Sequence, residues 1–283
     1  MTRRLYLHIG MHKTGSTAIQ ETLKAYDDGT TAYLRLAHPN HSYGMTMLFC
    51  AEQAAELVQI GWVGSLGELE QKVADTRQRM ETQISSGRQH LIVSGEEMSA
   101  RFGASEIERL RAFFAQFFDE IRVIAYLRAP HAYMSSAVQE VVKTRPCSLL
   151  EAPFPDYQQR LGPWEAAFGR EAIDYVMFAR DTLAGQDVVS DFAARVGLPP
   201  GQVKGKRINE SMSAEVFATL YKLRNGPRPS KLAWPEERLV RVGRRFQQFG
   251  KQRFALADTV WPELTEAQVA DIAWAEDRLG GSF

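Results

Sequence analysis

Short unbroken apolar runs alternate along the chain with stretches of helical spacing. Residues 5–9, 90–94 and 121–127 are apolar runs without helical periodicity, and the last is near-continuous, as a parallel strand covered on both faces requires. Residues 173–178 alternate and predict a further strand. Between these runs, Ala18, Ile19, Thr22 and Leu23 share one helical face. Ser105 with Glu108 predicts a capping box ahead of Ile107, Leu110, Phe114 and Phe117. Pro130 suits a first helical turn, followed by a stripe of Tyr133, Ala137 and Val141. Residues 187–196 predict a helix closed by Gly197 and Pro199.

The pattern is looser between residues 30 and 88. A turn at 27–29 leads to a short strand near 32–36 and a polar, breaker-rich loop at 38–44. A helix over 45–60 is predicted, its inner face being Met47, Leu48, Ala51, Ala55 and Val58. Gly61, Gly64 and Gly67 then break the chain before a charged helix over 68–85. This region reads as an elaboration covering one sheet edge and contributing to a substrate pocket. Helices near 236–246 and 265–279, the latter capped by Thr265 and Gln268, read as packing. No repeat or low-complexity linker divides the chain, so a single domain is expected, with 30–88 and 212–283 as helical elaborations.

Composition narrows the classes. A 283-residue chain with 45% hydrophobic residues supports a sizeable core. Its 34 basic and 34 acidic residues balance, so no global field draws it to nucleic acid or acidic lipid, and an anion site must be local. Cys50 and Cys147 are too few for a disulfide framework and lack metal-ligand spacing, which fits a reducing compartment. No apolar run approaches membrane-spanning length, and a soluble cytoplasmic protein is expected.

The chemistry concentrates at residues 5–20. The apolar run ends at Gly10, Gly15 closes a tight loop, and Ser16 and Thr17 open the helix. Strand, glycine loop and helix N-terminus make an anion cradle, to which Lys13 adds a full charge. The spacing of Gly10 and Gly15 equals that of the nucleotide-hydrolase loop, but Ser16 stands where that loop has its lysine, and Lys13 lies inside the turn. The dinucleotide pattern of glycines is absent.

The arrangement His8-Ile-Gly-Met-His-Lys-Thr-Gly-Ser-Thr17 resembles the 5′-phosphosulfate loop of bacterial-type sulfotransferases, which use 3′-phosphoadenosine 5′-phosphosulfate (PAPS). A second segment is similar to the part of that family that grips the donor's 3′-phosphate: Arg128 ends a strand and Ser136 follows eight residues later, with Ser135 a near miss. Arginine can bind phosphate in a bidentate fork. The resemblance extends over about residues 4–211. It implies a P-loop-like fold, with a parallel central sheet flanked by helices on both faces. It also implies donor contacts from His12, Lys13, Thr14, Gly15, Ser16, Thr17, Arg128 and Ser136. A late loop offers Arg207, Asn209 and Ser211 by position.

Sulfuryl transfer needs a stabilised leaving phosphate, an in-line acceptor and a base. Lys13 and the loop N–H and hydroxyl groups meet the first need, without a metal. Ser94-Gly-Glu96 resembles the segment where relatives carry Ser-Ser-Glu, which makes Glu96 the first choice of base. At least one of Glu96 and Glu97 is expected to cap a helix or pair with an arginine, Glu97 stays open as a base, and two adjacent carboxylates are expected to raise one pKa. His41 is the alternative base, and His12 is placed to contact donor or acceptor. Carbohydrate hydroxyls are the default acceptors by analogy. The rivals are a small-molecule kinase and an inactive nucleotide-binding protein.

Overall fold

The computed structural model describes residues 2–59, 63–203, 205, 212–226, 252–257 and 263–283. Its strands are β1 (Arg4–His8), β2 (Thr31–Tyr33), β3 (His90–Ser94), β4 (Glu120–Leu127) and β5 (Ile173–Met177). The helices begin with α1 (Ser16–Leu23), α2 (Ser42–Phe49), α3 (Ala51–Gln59), α4 (Leu66–Ile84), α5 (Met98–Arg101) and α6 (Ala104–Phe114). They continue with α7 (Pro130–Thr144), α8 (Tyr157–Phe168), α9 (Val188–Arg195), α10 (Ala214–Asn225) and, last, α11 (Glu266–Leu279). The chain divides into two compact units. One comprises Met1–Leu127, Tyr157–Lys206 and Trp274–Ser282; the other comprises Arg128–Asp156, Arg207–Ala273 and Phe283.

The first unit holds a five-stranded, all-parallel sheet in the order β2-β3-β1-β4-β5. Its central strand, β1, has β3 on one side and β4 on the other, so Leu5 lies opposite both Leu91 and Ile121. The strand order reverses at β1, and crevices for ligands in such sheets open at the carboxyl ends of strands flanking that reversal. The expected parallel sheet is therefore present. Tyr6, Ile92, Ile124, Tyr126 and Val176 share one face and pack against Ile19 and Leu23 of α1 and Val189 and Phe192 of α9. The opposite face, with Leu5, Leu7, Leu91, Val93, Val123 and Ala125, is equally buried. Burial on both faces is why these strands read as apolar runs rather than alternations.

Polar ties fix the helices on this sheet. The Tyr126 hydroxyl donates to buried Asp191 on α9 at 2.7 Å, and Arg195 bridges Asp191 to Asp174 of β5. On α11, Arg278 forks onto Glu165 of α8 at 2.8 and 2.9 Å while its guanidinium covers Trp274. Trp164 is fully buried between Phe102 and Phe168, as a core residue. The Thr265–Gln268 cap of α11 forms as the sequence predicts.

Three predicted details differ. The helix over 45–60 is two helices, because its halves bury against different partners. Phe49 of α2 packs on Phe113 and Phe114, whereas Ala54 and Leu57 of α3 join Val63 and Leu69 in a small separate core. Cys50 between them leaves helical geometry. Helix α6 begins earlier than its predicted box: the Glu106 carboxylate accepts the Gly103 N–H at 3.0 Å, and Glu108 pairs with Arg111 instead. The buried stripe of α7 includes Tyr133, Met134, Val138 and Val142, with Ala137 and Val141 only partly buried.

In the second unit, α7 packs along α10. Buried Arg224 donates to the carbonyls of Val142 and Lys143, closing the C-terminal end of α7. The predicted helix near 236–246 lies outside the described residues. Among the described residues no helix is long and apolar enough to cross a membrane.

Candidate functional site

Lys13, Gly10 and Gly15 all take positive φ, at 69°, 50° and 79°. Glycine adopts this backbone at little cost, but lysine does not, and such strain persists where the surroundings impose it. At Gly15 a Cβ would also lie 2.8 Å from Val188, so the turn passes too close to α9 for any side chain. Helix α1 consequently starts on a residue that cannot cap it, leaving its N-terminal dipole undressed by any side chain.

Inside the turn the hydroxyls divide. Thr14 Oγ1 donates to the Met11 carbonyl at 2.6 Å, so this hydroxyl braces the loop. Ser16 Oγ is different. The residue is 1% exposed, and the hydroxyl is buried with no hydrogen-bond partner. Orphaned buried hydroxyls are uncommon and costly, and this one lies about where a Cβ on Gly10 would press against it, at 3.0 Å. Thr17 is half-buried on the first turn of α1.

Glu96 lies against this loop. Its Cα and Cβ would both be 3.3 Å from a Cβ on Gly10. The Asn40 amide approaches its carboxylate at 3.5 Å. Glu97, by contrast, is fully engaged. His12 reaches it at 3.4 Å, Arg101 makes a short charge-assisted bond to it, and its carboxyl is pushed down to about 2. His12 contributes most to that depression, opposed by burial and helped by Arg101. Glu97 is therefore lowered, not raised, by its surroundings. Of the two glutamates, Glu97 is the one that pairs with an arginine.

His41 is removed from solvent. Its Nδ1 accepts the Ser94 N–H at 3.0 Å, its own N–H donates to the Ser94 carbonyl at 2.9 Å, and its ring packs on Tyr33. Burial pushes its pKa down to about 3. With Nδ1 accepting, the proton sits on Nε2, so the ring has no basic nitrogen to offer an acceptor. His41 clamps a loop to β3, and its reading as alternative base is corrected accordingly. His8 beneath it is another buried neutral ring, sharing a 2.8 Å hydrogen bond with Ser94 Oγ, to which Gln20 also donates.

The remaining residues belong to the second unit. Arg128 directly follows β4, and burial lowers its pKa. Ser136 is half-buried on α7. Ser135 is committed, its Oγ accepting the Leu256 N–H at 3.0 Å while His131 contacts the Leu256 carbonyl. Arg207, Asn209 and Ser211 lie outside the described residues.

Sequence reading missed Asn40 and Ser42. The Asn-His-Ser spacing was a usable signal, since asparagine commonly bonds the backbone two residues ahead, and Ser42 N–H does donate to Asn40 Oδ1.

No family model and no curated protein matches this chain. Several solved structures are similar to it. A sulfotransferase from Alicyclobacillus acidocaldarius is 13% identical with a TM-score of 0.46, covering 81% of this chain and 98% of that one. The sulfotransferase domain from the curacin biosynthetic pathway is 13% identical with a TM-score of 0.41, covering 87% and 98%. Mouse sulfotransferase SULT7A1, complexed with PAP, is 10% identical with a TM-score of 0.37, covering 99% and 85%.

Proposed function

We propose that this protein is a sulfotransferase that moves a sulfuryl group from PAPS to an acceptor hydroxyl, of a carbohydrate or another small molecule. The observation that carries the reading is the buried, unpartnered Ser16 hydroxyl inside a strained glycine loop that also contains Lys13. A loop so built favours an oxyanion, and the lysine inside the turn suits a 5′-phosphosulfate better than a triphosphate.

The donor supplies an activated sulfur–oxygen bond when bound. Lys13, the loop amides and Ser16 stabilise charge on the departing phosphate. Glu96 takes the acceptor's hydroxyl proton on a carboxylate oxygen. Arg128 and Ser136 hold the 3′-phosphate, with Arg207 and Asn209 assigned to the same end by resemblance. A cytoplasmic setting suits Cys50 and Cys147, both free thiols.

Thermal shift separates this reading from its rivals. Adenosine 3′,5′-bisphosphate at a hundredfold excess over its Kd should stabilise the protein by about 2.7 kcal/mol, and AMP by less. Stabilisation by ATP alone would favour a kinase. Transfer of labelled sulfate to a glycan and alcohol panel then separates an enzyme from an inactive binder. Arg128→Lys keeps the charge but loses the fork, and should cost ~1–3 kcal/mol of 3′-phosphate recognition. A variant that still distinguishes the bisphosphate from AMP as well as wild type would make Arg128 structural.

A further inference from the structure

Asn40 is the hub of a hydrogen-bonded ring that reaches both glutamates. Its Oδ1 accepts the Ser42 N–H at 3.0 Å and the Ser42 hydroxyl at 2.6 Å. Ser42 Oγ accepts the Glu97 N–H at 3.1 Å. With Oδ1 occupied twice, the amide cannot be turned over without losing both bonds, so its NH2 group is the end directed to Glu96 Oε1, 3.5 Å away. His41 locks the same loop to both backbone groups of Ser94, and Tyr33 donates to the Pro39 carbonyl at 2.6 Å. Asn40 is thus held from both sides.

We propose that Asn40 is a positioning residue whose side-chain amide holds the Glu96 carboxylate in one orientation beside the β1–α1 loop. The inference rests on the reading of Glu96 as the base. A neutral amide suits this task. It donates to a carboxylate without adding a charge, and so avoids the kind of ion pair that ties Glu97 to Arg101. Of the titratable groups nearby, Tyr43 senses Glu96 directly, while Arg101 and His12 contact the neighbouring Glu97, with Lys13 next to His12 in the chain.

Asn40→Asp is the discriminating variant, because it keeps the oxygen that Ser42 needs and replaces only the donor. In transfer assays kcat should fall on the order of tenfold or more with the donor KM unchanged. The acid limb of the pH–rate profile should move to higher pH, since a second carboxylate opposes ionisation of the first. Asn40→Ala should lower kcat without moving that limb as far. Wild-type kcat and pH profile in Asn40→Asp would overturn the proposal.

A second measurement needs no activity. The Asn40 side-chain amide signal in 15N NMR should change when Glu96 takes up a proton, and Glu96→Gln should abolish that change. A pH dependence that survives Glu96→Gln overturns the contact. Its loss in a protein that transfers no sulfate upholds the contact and instead removes sulfuryl transfer as the function.

Discussion

The turns that follow β1 and β3 leave neighbouring parallel strands, yet they are finished in opposite ways. The β1–α1 turn leaves a buried hydroxyl unpartnered and a helix start uncapped, and it holds a lysine in a strained backbone. The β3–α5 turn is stitched to residues 38–42 through Ser94, Glu96 and Glu97. On the proposed reading, one turn receives a group and the other holds one still. An unpartnered buried hydroxyl marks the first, and a hydrogen-bond ring marks the second. Adjacent residues repeat the contrast at smaller scale, for Glu97 is bound by Arg101 and His12 while Glu96 is approached by the neutral amide of Asn40.

The comparison breaks most visibly at Glu96. Glu96→Gln should lower turnover ~10²–10⁴-fold while donor affinity stays nearly constant. Steady-state kinetics with a bisphosphate titration checks both, and a fully active variant would remove Glu96 as base. Lys13→Ala comes next, with a loss of about a hundredfold or more and an unchanged unfolding midpoint, because the side chain serves charge rather than core. Near-normal turnover would unseat the loop from its proposed role.

Acid should weaken the stitched side through its histidines. His8 and His41 are held near 3, below their ordinary 6.5, so the unfolded chain binds protons that the folded one refuses. Stability is complete above that ordinary value and declines as pH falls toward 3, with a slope approaching about 1.4 kcal/mol per pH unit for each ring. Urea unfolding between about pH 7 and 5 measures it. Replacement of either histidine by Asn should flatten the slope by about half, and an unaltered slope would show that the rings titrate normally.

The smallest effect belongs to Glu97. Glu97→Gln should cost about 1 kcal/mol of stability through the lost pairs with Arg101 and His12, and should alter turnover much less than Glu96→Gln. Equal kinetic damage from both substitutions would dissolve the distinction between the two carboxylates.

Much of the frame was legible because its strands are buried on both faces. Runs such as 90–94 and 121–127 allow no helical spacing, and β3 has the predicted limits. The glycine loop was legible because positive φ and close approach select particular residues. Side-chain commitments were not. Nothing local distinguishes Thr14, whose hydroxyl turns inward, from Ser16, whose hydroxyl stays unpartnered. His41 sits in a polar, breaker-rich segment that reads as solvated, yet Tyr33 and Ser94 bury it from elements remote in sequence. The split of residues 45–60 was hidden for the same reason: each half answers to a different distant partner.

Gly95 carries a consequence for how this site can diversify. A Cβ there would lie 2.9 Å from the Ser42 backbone nitrogen, so Gly95→Ala must push the two loops apart. Substitutions within residues 38–42 and 94–97 should therefore have to be made together. A library that randomises one segment alone should yield mostly inactive clones, and one that exchanges both together should not. Homologues that keep asparagine and serine at positions 40 and 42 but carry a bulky residue at 95 would refute this coupling.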